Sequence, residues 1–182
     1  MALPETYLAA LEQLALVFES YHRSTGGDAV LVGGAAVAIF TAGQFPSADF
    51  DVVASADTEF ERAMTDHGFV REDRSGYLRI GFYHPDHPGY GFQQVSGALF
   101  DGRSERGRVV RVTVKAGEIA LPSVEDLIAD RLAQHAVASP TDHSRLRQAR
   151  FLYQLTENLD LAYLRRRIVE ENADLSLLEQ VS

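Results

Sequence analysis

A short apolar run, Ala29-Val30-Leu31-Val32, ends in Gly33-Gly34 and is followed by Asp49-Phe50-Asp51-Val52. The β-branched content of the first run predicts a buried strand, and the small apolar residues from Ala35 to Ala42 predict a helix closed by Gly43. The segment from Phe50 to Ala54, flanked by Asp49, predicts a second strand. Residues two apart on a strand share a face, so Asp49 and Asp51 stand side by side while Phe50 points the other way into a core. Adjacent carboxylates repel unless a cation lies between them. A hard cation such as Mg2+ suits such a pair, because it takes oxygen ligands, few of them from protein and the rest from water and phosphate.

Gly33-Gly34 supplies the complementary half. A strand-to-helix turn without β-carbons lets a phosphate approach the backbone, and the amides that open the next helix offer it hydrogen bonds and a favourable dipole. Taken singly, a Gly-Gly pair is ordinarily a turn and an Asp-x-Asp is ordinarily a solvated strand edge. Their occurrence in this order, on strand ends able to neighbour each other, points to one site for a metal and a phosphate.

The rest of the chain supports a single mixed layer structure. Apolar side chains at Leu8, Leu11, Leu14, Ala15 and Phe18 recur with helical period between Pro4 and Gly26-Gly27, which predicts an amphipathic helix over 4–23. A further helix is expected over 57–67, stopped by Gly68, and strands near 77–83, 90–96 and 109–115. Ser123-Val-Glu-Asp126 resembles a capping box and opens a helix through about His135; two more helices follow near 141–156 and 160–171. The organisation expected is an α/β core with an N-terminal helix over 1–120 and a C-terminal helical segment over 121–182 packed on it.

Composition narrows the partners. A formal net charge of -9 over 182 residues opposes the clustered Lys and Arg that grip DNA or RNA broadly. With no cysteine, disulfides and thiolate metal sites are excluded. The N-terminus has no basic segment followed by an apolar run, and no stretch approaches the length of a membrane span, so a cytoplasmic protein with no membrane partner is the expectation.

The pattern of a hydrophobic residue, Gly-Gly, a helix and then Asp-hydrophobic-Asp resembles the signature of the DNA polymerase β-like nucleotidyltransferase superfamily. The segment Ile119 to Leu132 looks like the strand-to-helix passage after the core of its small bacterial members, including minimal nucleotidyltransferases and the nucleotidyltransferase toxins of type IV toxin/antitoxin pairs. The resemblance covers about residues 29–150. It implies an α/β (α+β) fold with a mixed sheet, flanking helices and a C-terminal helical segment. It also implies that Gly33 and Gly34 contact the triphosphate of an NTP, and that Asp49 and Asp51 hold Mg2+ or Mn2+ while an acceptor hydroxyl attacks the α-phosphorus.

Two departures stand out. Active members usually carry a third carboxylate on a later strand, and the matching position here is Gln93, a neutral amide that cannot serve as a base. Asp101 lies downstream, either as a substitute or as a turn aspartate before Gly102. Small members also place an Arg or Lys and a Thr before the Asp pair; here Ser47 stands in for the hydroxyl and nothing stands in for the cation. Arg131 and Asp142 are candidates to line the site from the later helices. Two readings remain open. One is an enzyme transferring a nucleotidyl group to a small molecule, protein or RNA end; the other is a catalytically degenerate protein that binds nucleotide or a partner protein in a toxin/antitoxin or regulatory setting. His84-Pro-Asp-His87 reads as a tight polar turn unless a distant third ligand makes it a zinc site. Arg165-Arg166-Arg167 reads as a solvated helix face balanced by Glu170 and Glu171.

Overall fold

The computed structural model describes residues 2–72 and 80–179. Helix α1 spans Glu5–Thr25 and buries Tyr7, Leu11, Leu14, Phe18 and Tyr21 along one stripe. Leu8 falls off that stripe and is 38% exposed. Gly26 ends the helix in the left-handed region at φ 70, where its N–H reaches the His22 carbonyl, a conformation that costs glycine little.

Strand β1 (Val30–Val32) runs directly into helix α2 (Gly33–Phe40). The helix therefore begins at the glycines, two residues before the start expected from Ala35. Strand β2 is Asp49–Val53 and helix α3 is Asp57–Asp66. Strands β3 (Val70–Glu72), β4 (Ile80–Tyr83) and β5 (Gly91–Ser96) follow. Of the strand expected over 77–83, residues 77–79 lie outside the described residues. Strand β3 was not expected, because three residues with one exposed valine carry no usable alternation.

The sheet order is β1-β2-β5-β4-β3. Strand β2 is parallel to β5 and antiparallel to β1, and β4 is antiparallel to both β5 and β3. This mixed sheet with helices packed around it is the α/β class expected. Phe50 and Val52 are fully buried, and Phe50 stacks on Phe92 of β5 with ring centroids 4.9 Å apart. The apolar face of β2 thus anchors the strand in the core and turns Asp49 and Asp51 outward.

Strands β6 (Val110–Val114) and β7 (Gly117–Leu121) form a separate hairpin. The first was expected from its pattern, and the second falls where the resemblance put the strand of a strand-to-helix passage. Ile119 and Leu121 of β7 are fully buried. Helix α4 (Val124–Ala136) is capped as expected: Ser123 Oγ accepts from the Asp126 N–H at 3.1 Å and donates to the Asp126 carboxylate at 2.9 Å. Helices α5 (Ser144–Leu155), α6 (Leu161–Glu170) and the single turn α7 (Ser176–Glu179) complete the chain. No described helix is long and apolar enough to cross a membrane.

The arginine run of α6 departs from the expected solvated face. Arg167 is fully buried, with Nε 2.6 Å from Oδ1 of the equally buried Asp126. Its other nitrogens reach Glu170 and Glu171, each at 2.7 Å. Tyr163 and Ser104 also donate to Asp126, at 3.0 and 2.8 Å. Arg167 shares the inward face of α6 with Tyr163, Leu164 and Ile168, which is the i, i+3, i+4 spacing of a buried stripe. The two glutamates do balance it, but from the edge of a buried network. Around that network, Arg103 pairs with Glu171 at 3.0 Å and Arg108 with Asp160 at 2.8 Å, tying residues 99–108 to α6.

Candidate functional site

The β1–β2 register sets Val32 opposite Asp51, so the turn that leaves β1 begins beside that carboxylate. Gly33 adopts φ 69, and a β-carbon there would lie 2.5 Å from Asp51 Oδ2. A β-carbon on Gly34 would lie 2.9 Å from Ser47 Oγ. Glycine is required twice over at 33, by its backbone conformation and by the carboxylate against it. Substituting Gly33→Ala is expected to cost about 1–2 kcal/mol from the left-handed backbone alone and to push Asp51 out of place. Thermal denaturation together with Mn2+ titration would register both effects; unchanged stability and unchanged metal affinity would contradict this account.

Ser47 Oγ donates to the Asp49 carbonyl at 2.9 Å and accepts from the Asp49 N–H at 3.3 Å. It holds the entry to β2 rather than presenting a free hydroxyl. Gly33, Gly34, Ser47, Asp49, Asp51 and Arg131 all line one cavity of about 770 Å3. Its opposite walls are α4, the start of α5, and the segment after β5.

Arg131 is 5% exposed and is committed to its neighbour: Nη2 and Nε donate to Asp130 at 2.6 and 3.1 Å. Arg145, which the sequence reading did not single out, lines the same cavity with its side chain 41% exposed. Asp142 is not part of that lining; it pairs with Arg145, and hydrogen bonds from Ser144 and the nearby guanidinium hold its carboxyl below the ordinary range. The signal for Arg145 was only its place in the first turn of a predicted helix, and a helix far along the chain declares nothing about which cavity it faces.

Gln93 stands opposite Asp51 in the parallel β2–β5 register, and its Nε2 donates to Asp51 Oδ1. Asp101 lines the cavity from beside Phe100; both have positive φ, 54 and 47, and Gly102 follows at φ 79. It is thus both a turn residue and part of the cavity wall, and its carboxylate makes no hydrogen bond or ion pair among the described residues.

The His84–His87 pair sits elsewhere. His84 is 7% exposed, packs edge-on against Phe69 at 4.9 Å, and accepts from the Asp86 N–H at 3.2 Å. Burial and the neighbouring His84 lower the His87 pKa. These contacts make a tight turn, and among the described residues no three His, Asp or Glu side chains gather as a metal cluster.

No protein-family model matches the sequence, and no curated protein is significantly similar to it. Similar solved structures do exist. An antigenic nucleotidyltransferase-like protein from Paracoccidioides brasiliensis superposes with TM-score 0.64 at 13% identity, over 93% of this chain and 89% of that one. The antibiotic-resistance factor ANT(2'')-Ia matches with TM-score 0.58 at 12% identity, over 94% and 96% of the two chains. A lincomycin-bound lincosamide antibiotic adenylyltransferase matches with TM-score 0.50 at 17% identity, over 86% and 100%. With the glycine turn and the acidic strand in one cavity, and with these likenesses running over nearly the whole chain, the fold of this protein is nucleotidyltransferase-like.

Proposed function

We propose that this protein is a metal-dependent nucleotidyltransferase that moves a nucleotidyl group from an NTP to a hydroxyl acceptor. The observation that carries this reading is the approach of Asp51 Oδ2 to the bare backbone of Gly33. A metal-binding oxygen and a turn that admits phosphate then border one cavity.

Asp49 and Asp51 would hold Mg2+ or Mn2+. Two carboxylates on one strand face are a donor set of hard oxygens that leaves further positions for water and phosphate. When bound, the cation supplies neutralisation of the charge on the transferring phosphoryl group. The chain itself supplies positioning. Gly33 and Gly34 admit the phosphates to the opening amides of α2, and Ser47 steadies the start of β2. Arg145 gives the cavity a cation near the phosphates, a part Arg131 can share only by loosening its pair with Asp130. On this reading Asp101 is the carboxylate that accepts the proton of the attacking hydroxyl.

Two of the structurally similar proteins are an antibiotic-resistance factor and a lincosamide antibiotic adenylyltransferase, so small-molecule hydroxyls are the first acceptors to screen, ahead of protein or RNA ends. The excess of carboxylates in the chain disfavours a broad nucleic-acid grip. A second reading, a degenerate protein that binds nucleotide or a partner protein without turnover, draws its support from Gln93 beside Asp51. Calorimetric titration with Mg2+ and each NTP is expected to give a Kd below about 1 mM, worth roughly 4 kcal/mol of binding, for at least one nucleotide. No heat with any NTP at millimolar concentration would remove the enzymatic reading and the nucleotide-binding form of the second, whereas binding without transfer to any acceptor would select the second.

A further inference from the structure

We propose that the acceptor at this site is a hydroxylated small molecule with an apolar ring face, seated over Val53, Val95 and Phe100. The proposal deepens the transferase reading above and rests on it.

Sheet register divides the cavity in two. In the antiparallel β1–β2 pair, Val30 stands opposite Val53 and Val32 opposite Asp51, so the chain that leaves β1 at Gly33 runs toward the Asp49 end of β2. The glycines agree with this direction: a β-carbon on Gly33 would abut Asp51, and one on Gly34 would abut Ser47. Gly33, Gly34, Ser47 and Asp49 therefore form a polar half. Past Asp51 the same strand face continues with Val53, because side chains two apart share a face.

Strand β5 runs parallel to β2, with Val52 opposite Gln94 and Val53 opposite Ser96, which leaves Val95 in a bulge. A β-carbon on Gly97 would lie 3.7 Å from the Ala54 carbonyl oxygen, so the chain after β5 stays at the Val53 end. Val53, Val95, Ala98 and Phe100 all line the cavity and make its second half apolar. Phe100 is the aromatic side chain of that lining among the described residues. The guanidinium carbon of buried Arg167 lies 5.8 Å from its ring centroid, a contact that helps to seat the ring.

Displacement at the α-phosphorus sets the entering and leaving oxygens in line. Pyrophosphate leaves toward the glycine turn, so the acceptor oxygen enters from the opposite side of Asp51, over the apolar half. There the bond from the acceptor oxygen to phosphorus forms as the bond from phosphorus to the pyrophosphate oxygen breaks, and the hydroxyl proton passes to Asp101. The nucleoside oxygen is equatorial in such a displacement. The base then departs sideways, which leaves the apolar end to the acceptor.

That floor selects by hydration. A polyol with hydroxyls on both ring faces would lose water there and find no side-chain partner on the two valines, the alanine or the phenylalanine. An apolar ring face gains by leaving water for the same surface. Asp101, at the same end, opposes an acceptor that carries phosphate.

The test uses two six-carbon ring alcohols, cyclohexanol and myo-inositol, which differ in whether a ring face is apolar. Saturation-transfer NMR on the full chain with Mg2+ is expected to show cyclohexanol bound and myo-inositol not bound. Phe100→Asn removes the ring while Asn tolerates the left-handed backbone of this position, and it should weaken the cyclohexanol signal at least fivefold. Phe100→Leu should keep more than half of it. Ala98→Asp, at an exposed position, should abolish the signal and tests the same surface should Phe100→Asn not fold. Equal signals from the two alcohols, no signal from cyclohexanol, or a cyclohexanol signal indifferent to both Phe100→Asn and Ala98→Asp would overturn the proposal. Displacement of cyclohexanol by a non-hydrolysable ATP analogue would also overturn it, by assigning the apolar half to the base. Failure of that analogue to bind at all would instead defeat the nucleotide reading, and the comparison of the two alcohols would still decide whether the apolar half binds a ring.

Discussion

Replacing Asp51 with Asn is expected to lower nucleotidyl transfer from an α-labelled NTP by roughly 10^2–10^3-fold or more, the scale on which loss of one charge-stabilising group acts at a transferring centre. The substitution removes charge and little else. An Asn at this position keeps an oxygen able to accept from Gln93 Nε2, and its NH2 then takes the place of the oxygen that faces Gly33. The assay is incubation of each protein with labelled NTPs, Mg2+ and cell extract. Label transferred equally by the two proteins, or by neither, would defeat the enzymatic reading.

The largest effect on stability is expected at Arg167, far from the phosphate turn. Both Arg167 and Asp126 are wholly buried, and Nε of the first lies 2.6 Å from the second. Truncating Arg167 to Ala leaves the Asp126 carboxylate without its cation in the interior, where breaking such a pair costs about 3–5 kcal/mol. At about 2–4 °C per kcal/mol for a chain of this size, the melting temperature should fall by roughly 6–20 °C. Arg167→Lys should recover only part of the loss, since one ammonium cannot reproduce the separate contacts to Asp126, Glu170 and Glu171 made by a planar fork. A loss below about 1 kcal/mol for Arg167→Ala would show that the pair is not isolated from water.

That network bears on the cavity as well as on stability. Arg103 and Arg108 fasten residues 99–108 to α6, and the same stretch carries Phe100 and Asp101, both in the left-handed region that non-glycine residues rarely occupy. Asp101 faces the cavity from a segment held at several points, which is the setting in which a strained backbone persists.

Much of the molecule was legible from local pattern. The stripe of α1, the glycine after it, the Ser123 cap and the alternation of Asp49, Phe50 and Asp51 all depend on residues within a few positions of one another. Periodicity and capping chemistry are read at that range. The meeting of the glycine turn with the acidic strand was also foreseeable, because strands β1 and β2 are joined by a single short helix and lie side by side. The departures involve short or amphipathic elements. Strand β3 is too brief to show a period, and the Arg165–Arg167 run looks solvated because long basic side chains usually are.

What the sequence by itself determined, then, is the chemical vocabulary of the site: a turn without β-carbons, two acids on one strand face, an amide where a third acid was expected. The tertiary structure alone decided which of those groups touch. Lateral register put Gln93 against Asp51, helix packing turned Arg145 to the cavity, and burial drew Arg167 inward onto Asp126. Register and ion pairing join residues tens of positions apart, and their energies depend on burial and on a partner's distance, neither of which is encoded within any short stretch of chain.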